Sequence, residues 1–447
     1  MTLLGNENAC APVVRLKKRA YSIQSRMKEL GHQVSLAHAY EILATSSGFR
    51  NWPTMKAKAN TCGRKFEIGH EIKVKFDGGK RTVAANLKKP IEIPLPDCVD
   101  HFEVVGPPGR TRSDVLAGIA TNAINQGDCL VYLDGGGNAV SCQRLREFAS
   151  KHGRASDVNV ISLPSGLTGS VRYNPFATGS AEELAELLAQ TSESVSDEED
   201  TGNIWRIRAN AMLASVLRPL VWLRDKGEVR LDAATIRAYL SFEKVHELRQ
   251  QEGGIPTEIL SQLRLYLSSL PLYDESAGTE QHHVTLTHHG YHVLFFDKVL
   301  EPLVTTYGDI FHHHSDATSL DKIIAEKRIL VVQFPNLMKG SEDIGHVARL
   351  FYLDIIRAMK ARATSDVSGV VTAVLDNCEA ALPQHLDKTM SEAGASGACL
   401  VFGWQHSPLS PALKRSVSIH LSEVEPGRAT VVTKNGRYNA AMKLAEV

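Results

Sequence analysis

The sequence has no surplus of either charge: among 447 residues, Lys and Arg number 50 and Asp and Glu number 50. That balance gives no whole-chain attraction to nucleic acid or to a membrane surface. Its seven cysteines, at 10, 62, 98, 129, 142, 378 and 399, form no C-x-x-C pair and follow no regular spacing. This fits a reducing cytoplasm, with Cys129 and Cys399 expected as small hydrophobes buried in strands. Residues 1–15 lack the apolar core of a signal peptide. No apolar run approaches the roughly eighteen residues needed to span a bilayer, and residues 211–223 are interrupted by Arg218 and Pro219. The expectation is a soluble, cytoplasmic protein. No Ser-His-Asp or Cys-His arrangement stands out. The histidine runs 282–283, 288–289 and 312–314 have no acid or cysteine at ligand spacing, and neighbouring histidines on a strand would point to opposite faces. Trp205, Arg206 and Arg208 read as an amphipathic helix, part core and part solvated.

What is present supports a sizeable core, with 43% hydrophobic and 22% charged residues, and the length suits two or three domains. Charge is unevenly placed. Residues 15–65 hold eleven Lys or Arg against two acids, Glu29 and Glu41, an excess that can draw in nucleic acid or an acidic partner. The same region reads as a small helical unit. Val14, Leu16, Ala20, Ile23, Met27 and Leu30 recur at helical spacing, Gly31 stops that helix, and Ser35 caps a second one running to Thr45. Gly48 ends the second helix before Phe49 and Trp52, which read as core anchors. Alternating stretches follow on either side of Asp77-Gly78-Gly79 and suggest strands. Pro90, Pro94 and Pro96 punctuate what reads as a linker.

From residue 101 strands and helices alternate, which predicts an α/β fold with a mostly parallel sheet. HFEVVG leads into PPGRTRS, and the frame is that of a phosphate-binding P-loop, G-x-x-x-x-G-K-[ST], between a strand and a helix. Gly106 and Ser113 hold its two ends. Thr111 stands where the second glycine belongs and Arg112 where the lysine belongs. A guanidinium is bulkier than an ammonium and aims its donors differently, so that exchange is not conservative. The amides of residues 109–113, including those of Gly109 and Arg110, are the expected phosphate donors. Ser113 retains a hydroxyl for Mg²⁺.

Strand VVTAVLD ends in Asp376, suited to hold Mg²⁺ through water. The next position is Asn377, an amide that cannot accept a proton from an attacking water. Glu379 lies two residues on and could take over only if the chain bends. Gln405, ending ACLVFGW, is placed to sense a γ-phosphate. ATP and Mg²⁺ are therefore the candidate cofactors, with weak binding and weak or absent hydrolysis.

The order of segments resembles a known family. GDCLVYLDGGGN, RYNPF at 172–176, NIWRIRANAML, LRLYLSSLPLYD, KRILVVQFPNLMKGSEDIGHVARLFYLDIIR, AVLDN and FGWQ follow as in the type IV coupling proteins of conjugation and secretion, the TraD/TraG-like branch of the FtsK/HerA superfamily, with TrbC- and DotL-like members. The resemblance implies a RecA-like P-loop NTPase core at 101–180 and 290–447, interrupted by an all-α insertion at 181–289. It is preceded by a small all-α domain at 1–62 and a β-rich linker at 63–100. By the same resemblance Gly106, Gly109, Arg112 and Ser113 face phosphates, Asp376 the Mg²⁺ and Gln405 the γ-phosphate.

Family members are hexameric, ATP-driven pumps with membrane anchors. This sequence departs from them in its missing anchor, in Arg112 and in Asn377. The implied partners are DNA, relaxosome or secretion components, and further copies of the chain or an intact coupling protein. A tether to the inner membrane would come through a partner. Three roles stay open: a coupling-protein-like binder with degenerate hydrolysis, a working DNA-dependent ATPase, and a non-catalytic regulator that co-assembles with an active coupling protein. The N-terminal stretch around Gly48 to Trp52 is similar to a glyoxalase-related domain of mobile elements, a name that implies no glyoxalase chemistry.

Overall fold

A computed structural model describes residues 13–46, 50–53, 65–77, 80–94, 101–107, 109–137, 139–163, 170–193, 200–251, 254–311, 316–363, 370–382, 386, 389–390, 393, 398–405, 417–421, 428–433 and 436–442. Phe49, the Gly78-Gly79 turn, Pro96 and the histidines at 312–314 lie outside them.

Four apolar runs form the centre of the molecule. Strands β4 (Cys129–Asp134), β6 (Ile329–Gln333), β7 (Val371–Asp376) and β8 (Ala398–Trp404) are buried along their whole length. Continuous apolar strands of this kind belong in a parallel sheet covered on both faces. With β3 (Phe102–Val105), β5 (Val158–Ser162) and β9 (Val417–Leu421), they run parallel in the order β9-β3-β8-β7-β4-β6-β5. Side-chain alternation divides the core between the two faces. Leu130 and Tyr132 join Leu116 and Ile119 of the helix Arg110–Asn125 on one side. Val131 and Leu133 join Phe351, Ile355 and Met359 of the helix Glu342–Ala363 on the other. Each such large aliphatic side chain contributes about 2 kcal/mol by leaving water.

The sheet continues beyond this unit. The antiparallel pair β10 (Arg428–Thr433) and β11 (Gly436–Met442) closes the chain, and β11 pairs with β1 (Lys65–Asp77). β2 (Lys80–Pro94) lies outermost, giving the sheet eleven strands among the described residues. The segment read from sequence as a linker is thus a hairpin built into the sheet. Pro90 and Pro94 sit inside β2 opposite His70 and Lys65. They are tolerated because an edge strand needs ladder donors on one side only.

Ser180 opens the helical unit with a capping box to Glu183. Helices follow between β5 and β6 as far as Leu320–Ala325. The helical run therefore passes residue 289, the end expected from sequence, because His283–Val304 is one helix carrying Pro302. His288 and His289 lie on that helix and not on a strand. A buried network ties the unit to the core. The Tyr173 hydroxyl donates to Asp354, and Arg357 bridges Asp354 at 2.6 Å and Asp321 at 2.5 Å. At the N-terminus, Val13–Glu29 and Leu36–Ser46 are helices, with the His38 amide donating to the Ser35 hydroxyl at 3.2 Å. Trp52 stacks on Tyr40 at 4.5 Å between ring centroids.

Candidate functional site

The C-terminal ends of adjacent parallel strands place the predicted residues together, as open α/β sheets do for their ligands. β8 separates the P-loop strand β3 from β7. The registers Val105↔Trp404, Asp376↔Gly403 and Asp134↔Asp376 bring Gly106, Asp376, Gln405 and Asp134 to one edge. The Gly106 amide donates to the Trp404 carbonyl at 3.1 Å, carrying the ladder one residue into the loop. Gly109 turns the chain with φ 156° and ψ −174°, a region that side-chain-bearing residues rarely adopt. The helix begins at Arg110, and the Ser113 amide donates back to the Gly109 carbonyl at 3.1 Å. Its first-turn amides have no intrahelical acceptor. The side chains of Arg110 and Thr111 lie outside the described residues, as does Pro108. Ser113 is half-buried.

Arg112 points inward. It is 1% exposed, and its guanidinium joins three elements. Nη1 donates to the Gly106 carbonyl at 3.0 Å, and Nη2 donates to Asn377 Oδ1 and sits 3.4 Å from Asp376 Oδ1. Nε is buried with no hydrogen-bond partner. Asn377 reaches this position in a left-handed conformation, φ 56°, which asparagine accepts more readily than most residues. Its amide is held by the Gly403 carbonyl at 2.9 Å.

Two acids end the adjacent strands β7 and β4, and burial governs both. Asp376 is raised to about 6, first by loss of water, partly offset by the Arg112 charge and by a 3.4 Å bond from the Tyr132 hydroxyl. Asp134 is raised to about 7, again by burial and then by the Asp376 charge, against one 3.0 Å bond from the Gly136 amide. Its Oδ2 has no partner.

Glu379 does approach the site, because the Asn377 turn and the short 3-10 helix Glu379–Ala381 bend the chain. Its Oε1 accepts from the Gln405 amide at 3.4 Å, while Oε2 is buried without a partner. Gln405 is exposed.

The sequence reading placed a sharp turn at Gly135 to Gly137 but missed Asp134 and Tyr132 as site residues. The signal was present, since CLVYLD and VVTAVLD are both apolar strands ending in Asp. Gly135 is required by close approach: a Cβ there would lie 2.2 Å from the Asn377 carbonyl oxygen.

The same atoms test whether Mg²⁺ and a nucleotide phosphate fit. Asp376 is 2% exposed. Its Oδ1 faces Arg112 at 3.4 Å and Asn377 Nδ2 at 3.2 Å, and its Oδ2 faces Tyr132 at 3.4 Å. Both oxygens are engaged and the nearest cation is the protein's own. In this arrangement the residues do not fit a Mg²⁺-bound phosphate. Among the described residues no group of three or more His, Cys, Asp or Glu side chains could hold a metal ion. Among them, too, no helix is long and apolar enough to cross a membrane.

Comparisons with known proteins bear on both ends of the chain. The family model described as "Glyoxalase superfamily protein" matches residues 6–89, so the match passes beyond the two helices into the β1–β2 hairpin. The type 4 coupling protein DotL of Legionella pneumophila is 26% identical over 294 residues, covering 61% of this chain and 37% of its own length. The chain thus spans little more than a third of that relative. Among solved structures, the bacterial conjugative coupling protein TrwB aligns with a TM-score of 0.48 at 10% identity, over 79% of this chain and 87% of the other. A form of TrwB holding ADP and Mg²⁺ aligns at 0.46 and 13% identity, over 85% and 87% of the two chains. VirB4 of Thermoanaerobacter pseudethanolicus aligns at 0.44 and 12% identity, over 84% and 97%. Over 294 residues the chain is thus similar to a type 4 coupling protein, and over residues 6–89 it is similar to the glyoxalase superfamily.

Proposed function

We propose that this protein is a coupling-protein-like component of a conjugative or mobile element. It engages DNA or transfer-system components, with weak or absent ATP hydrolysis. The single observation that carries this reading is the contact of the Arg112 guanidinium with Asp376 and Asn377. In it the P-loop cation is spent on the protein's own acid, and the residue after that acid is an amide that cannot act as general base. In this reading the P-loop frame of Gly106, Gly109, Arg110, Thr111, Arg112 and Ser113 survives as a shape, and Asp376, Glu379 and Gln405 line its rim. Loss of one preorganised electrostatic contact to a reacting group lowers turnover by about two to three decades. The basic excess at residues 15–65 is the part suited to DNA or to an acidic partner. A cytoplasmic location, with any membrane tether supplied by a partner, completes the reading.

Steady-state ATP turnover of the purified chain, with and without DNA, is the direct test. The expected result is no turnover above background in either condition. Robust DNA-stimulated turnover that Arg112→Ala abolishes would refute the reading and favour a working motor.

A second reading is favoured by one further observation. Ile204 and Ile207 of the helix Asp200–Asp225 and Tyr291 and Leu294 of the helix His283–Val304 are all more than half exposed, at 58%, 60%, 51% and 62%. Apolar side chains gathered on one helical unit suit a regulator that co-assembles with an intact coupling protein. Co-purification of the two from cells carrying both would support it. A chain that never contacts the intact paralogue would exclude it.

A further inference from the structure

We infer that Arg112 is a built-in cation: it takes the place at Asp376 that a hydrated Mg²⁺ would need, and it ties the P-loop to the end of β7. The inference rests on the degenerate-site reading above and deepens it, because it says what the lysine-to-arginine exchange does.

The argument begins with charge. Asp376 is buried at the end of a central strand, and a buried carboxylate needs a counter-charge or a proton. The only guanidinium described against it is that of Arg112, itself 1% exposed. The approach of 3.4 Å is shared with the side-chain amide of Asn377, which accepts from Nη2 through Oδ1 and donates from Nδ2 to Asp376 Oδ1 at 3.2 Å. Arginine, Asp376 and Asn377 thus close a small ring of interactions in which the amide satisfies both neighbours. Glutamate at 377 would add a second negative charge beside Asp376 and would offer no donor to it. Arg112 and Asn377 therefore read as one paired change rather than two separate losses.

Geometry adds a second constraint. The other terminal nitrogen of Arg112 donates to the Gly106 carbonyl at 3.0 Å, so one planar fork ties the first residue of the loop to the end of β7. A lysine ammonium is a single point donor and cannot serve the Gly106 carbonyl and the acid from two separate nitrogens. The walls of the site are equally tight. A Cβ at Gly403 would sit 2.4 Å from Leu116 Cδ1 and 3.0 Å from Asp376 Oδ1, and one at Gly136 would sit 3.0 Å from Asn377 Nδ2. With those walls, Asp376 has room for one cationic partner. Mg²⁺ and Arg112 exclude each other there, and nucleotide binding that uses the metal requires Arg112 to leave.

The test uses the full chain and a fluorescent ADP analogue, titrated with Mg²⁺ and again with EDTA. The wild type is expected to bind with the same affinity in both. Arg112→Lys is expected to gain at least tenfold in affinity with Mg²⁺ and little in EDTA. Stability gives a readout independent of nucleotide. Asp376→Asn and Arg112→Met each lower the thermal midpoint by several degrees. The double variant is expected to recover part of that loss, because neither charge is then left alone. Mg²⁺-dependent tight binding by the wild type overturns the inference. So does an Arg112→Lys variant that binds as the wild type does, and so do strictly additive effects of the two stability variants. ATP turnover by a wild type whose 112–376 coupling is intact would overturn the degenerate-site reading alone. Absent coupling in a chain without turnover would overturn the built-in cation alone.

Discussion

The P-loop end of the sheet and the interior of the helical unit both hold titratable side chains out of water, and they satisfy them in opposite ways. At the P-loop, opposite charges are kept and paired, with Arg112 against Asp376 and Asp134 left half-satisfied beside them. In the helical unit the groups are kept neutral. The Leu240 carbonyl can only accept, so the His289 Nε2 that lies 2.8 Å from it carries the proton. His289 Nδ1 is then the acceptor for the Tyr266 hydroxyl at 2.8 Å, and the phenol oxygen accepts from His292 Nδ1 at 3.0 Å. Burial lowers both histidines, His292 to about 4. A paired charge fixes one arrangement strongly but is costly to break, whereas a neutral relay is weaker and more forgiving.

The largest expected effect breaks the charged side. Asp376→Ala leaves the Arg112 guanidinium buried without its counter-ion and should lower stability by about 3–5 kcal/mol, read from urea midpoints. Tyr266→Phe breaks the neutral side by removing the hydroxyl between two histidines, and about 1–3 kcal/mol is expected. A Tyr266→Phe loss equal to or larger than that of Asp376→Ala would erase the contrast.

The pH dependence sharpens it. Asp134 is raised from the usual carboxylate value to about 7, so its favourable contribution is complete in acid and is lost as pH rises towards 7. His292 is lowered from 6.5 to about 4, so its contribution is complete above 6.5 and is lost as pH falls towards 4. Between those limits the two slopes oppose each other. Asp134→Asn should remove one falling slope, so that between pH 4 and 6.5 its stability falls less, or rises more, with pH than that of the wild type, in which Asp376 still opposes His292. His292→Phe should steepen the loss in the other direction. Identical pH profiles for the two variants would show that neither group titrates as described.

The smallest effect lies outside both regions. Arg172 and Asp316 pair at 3.0 Å with 45% and 66% of their side chains exposed, and Arg172→Ala should change stability by no more than about 1 kcal/mol.

Much of the fold was legible because strands such as CLVYLD and VVTAVLD are uninterrupted apolar runs of strand length, and because Gly106 to Ser113 sits between a strand and a helix. The same pattern located Asp376 and Arg112. It could not say that β8 would lie between β3 and β7, since strand order depends on long-range pairing that no local run encodes. Nor could it say which way Arg112 would turn. A cation at that position reads the same whether it faces a phosphate or its own acid, and only the inward geometry distinguishes them. The histidines at 288 and 289 fell within the expected all-α insertion, although the aromatic and β-branched stretch HVTLTHHGYHVLFF has strand-like composition. On that helix His289 and His288 pack against Tyr266 and Trp205. The two strands of the 65–94 hairpin were legible from their alternation, whereas its prolines were read as linker breaks, although an outermost strand admits them.

That outermost strand has a consequence for how copies could meet. Pro90 and Pro94 remove two main-chain donors from β2, leaving the rim of the sheet a poor template for a neighbouring chain's backbone. Stacking of subunits by ribbon extension is disfavoured at that end. A contact made at that end would join through side-chain surfaces instead, where pairing can be selective and undone.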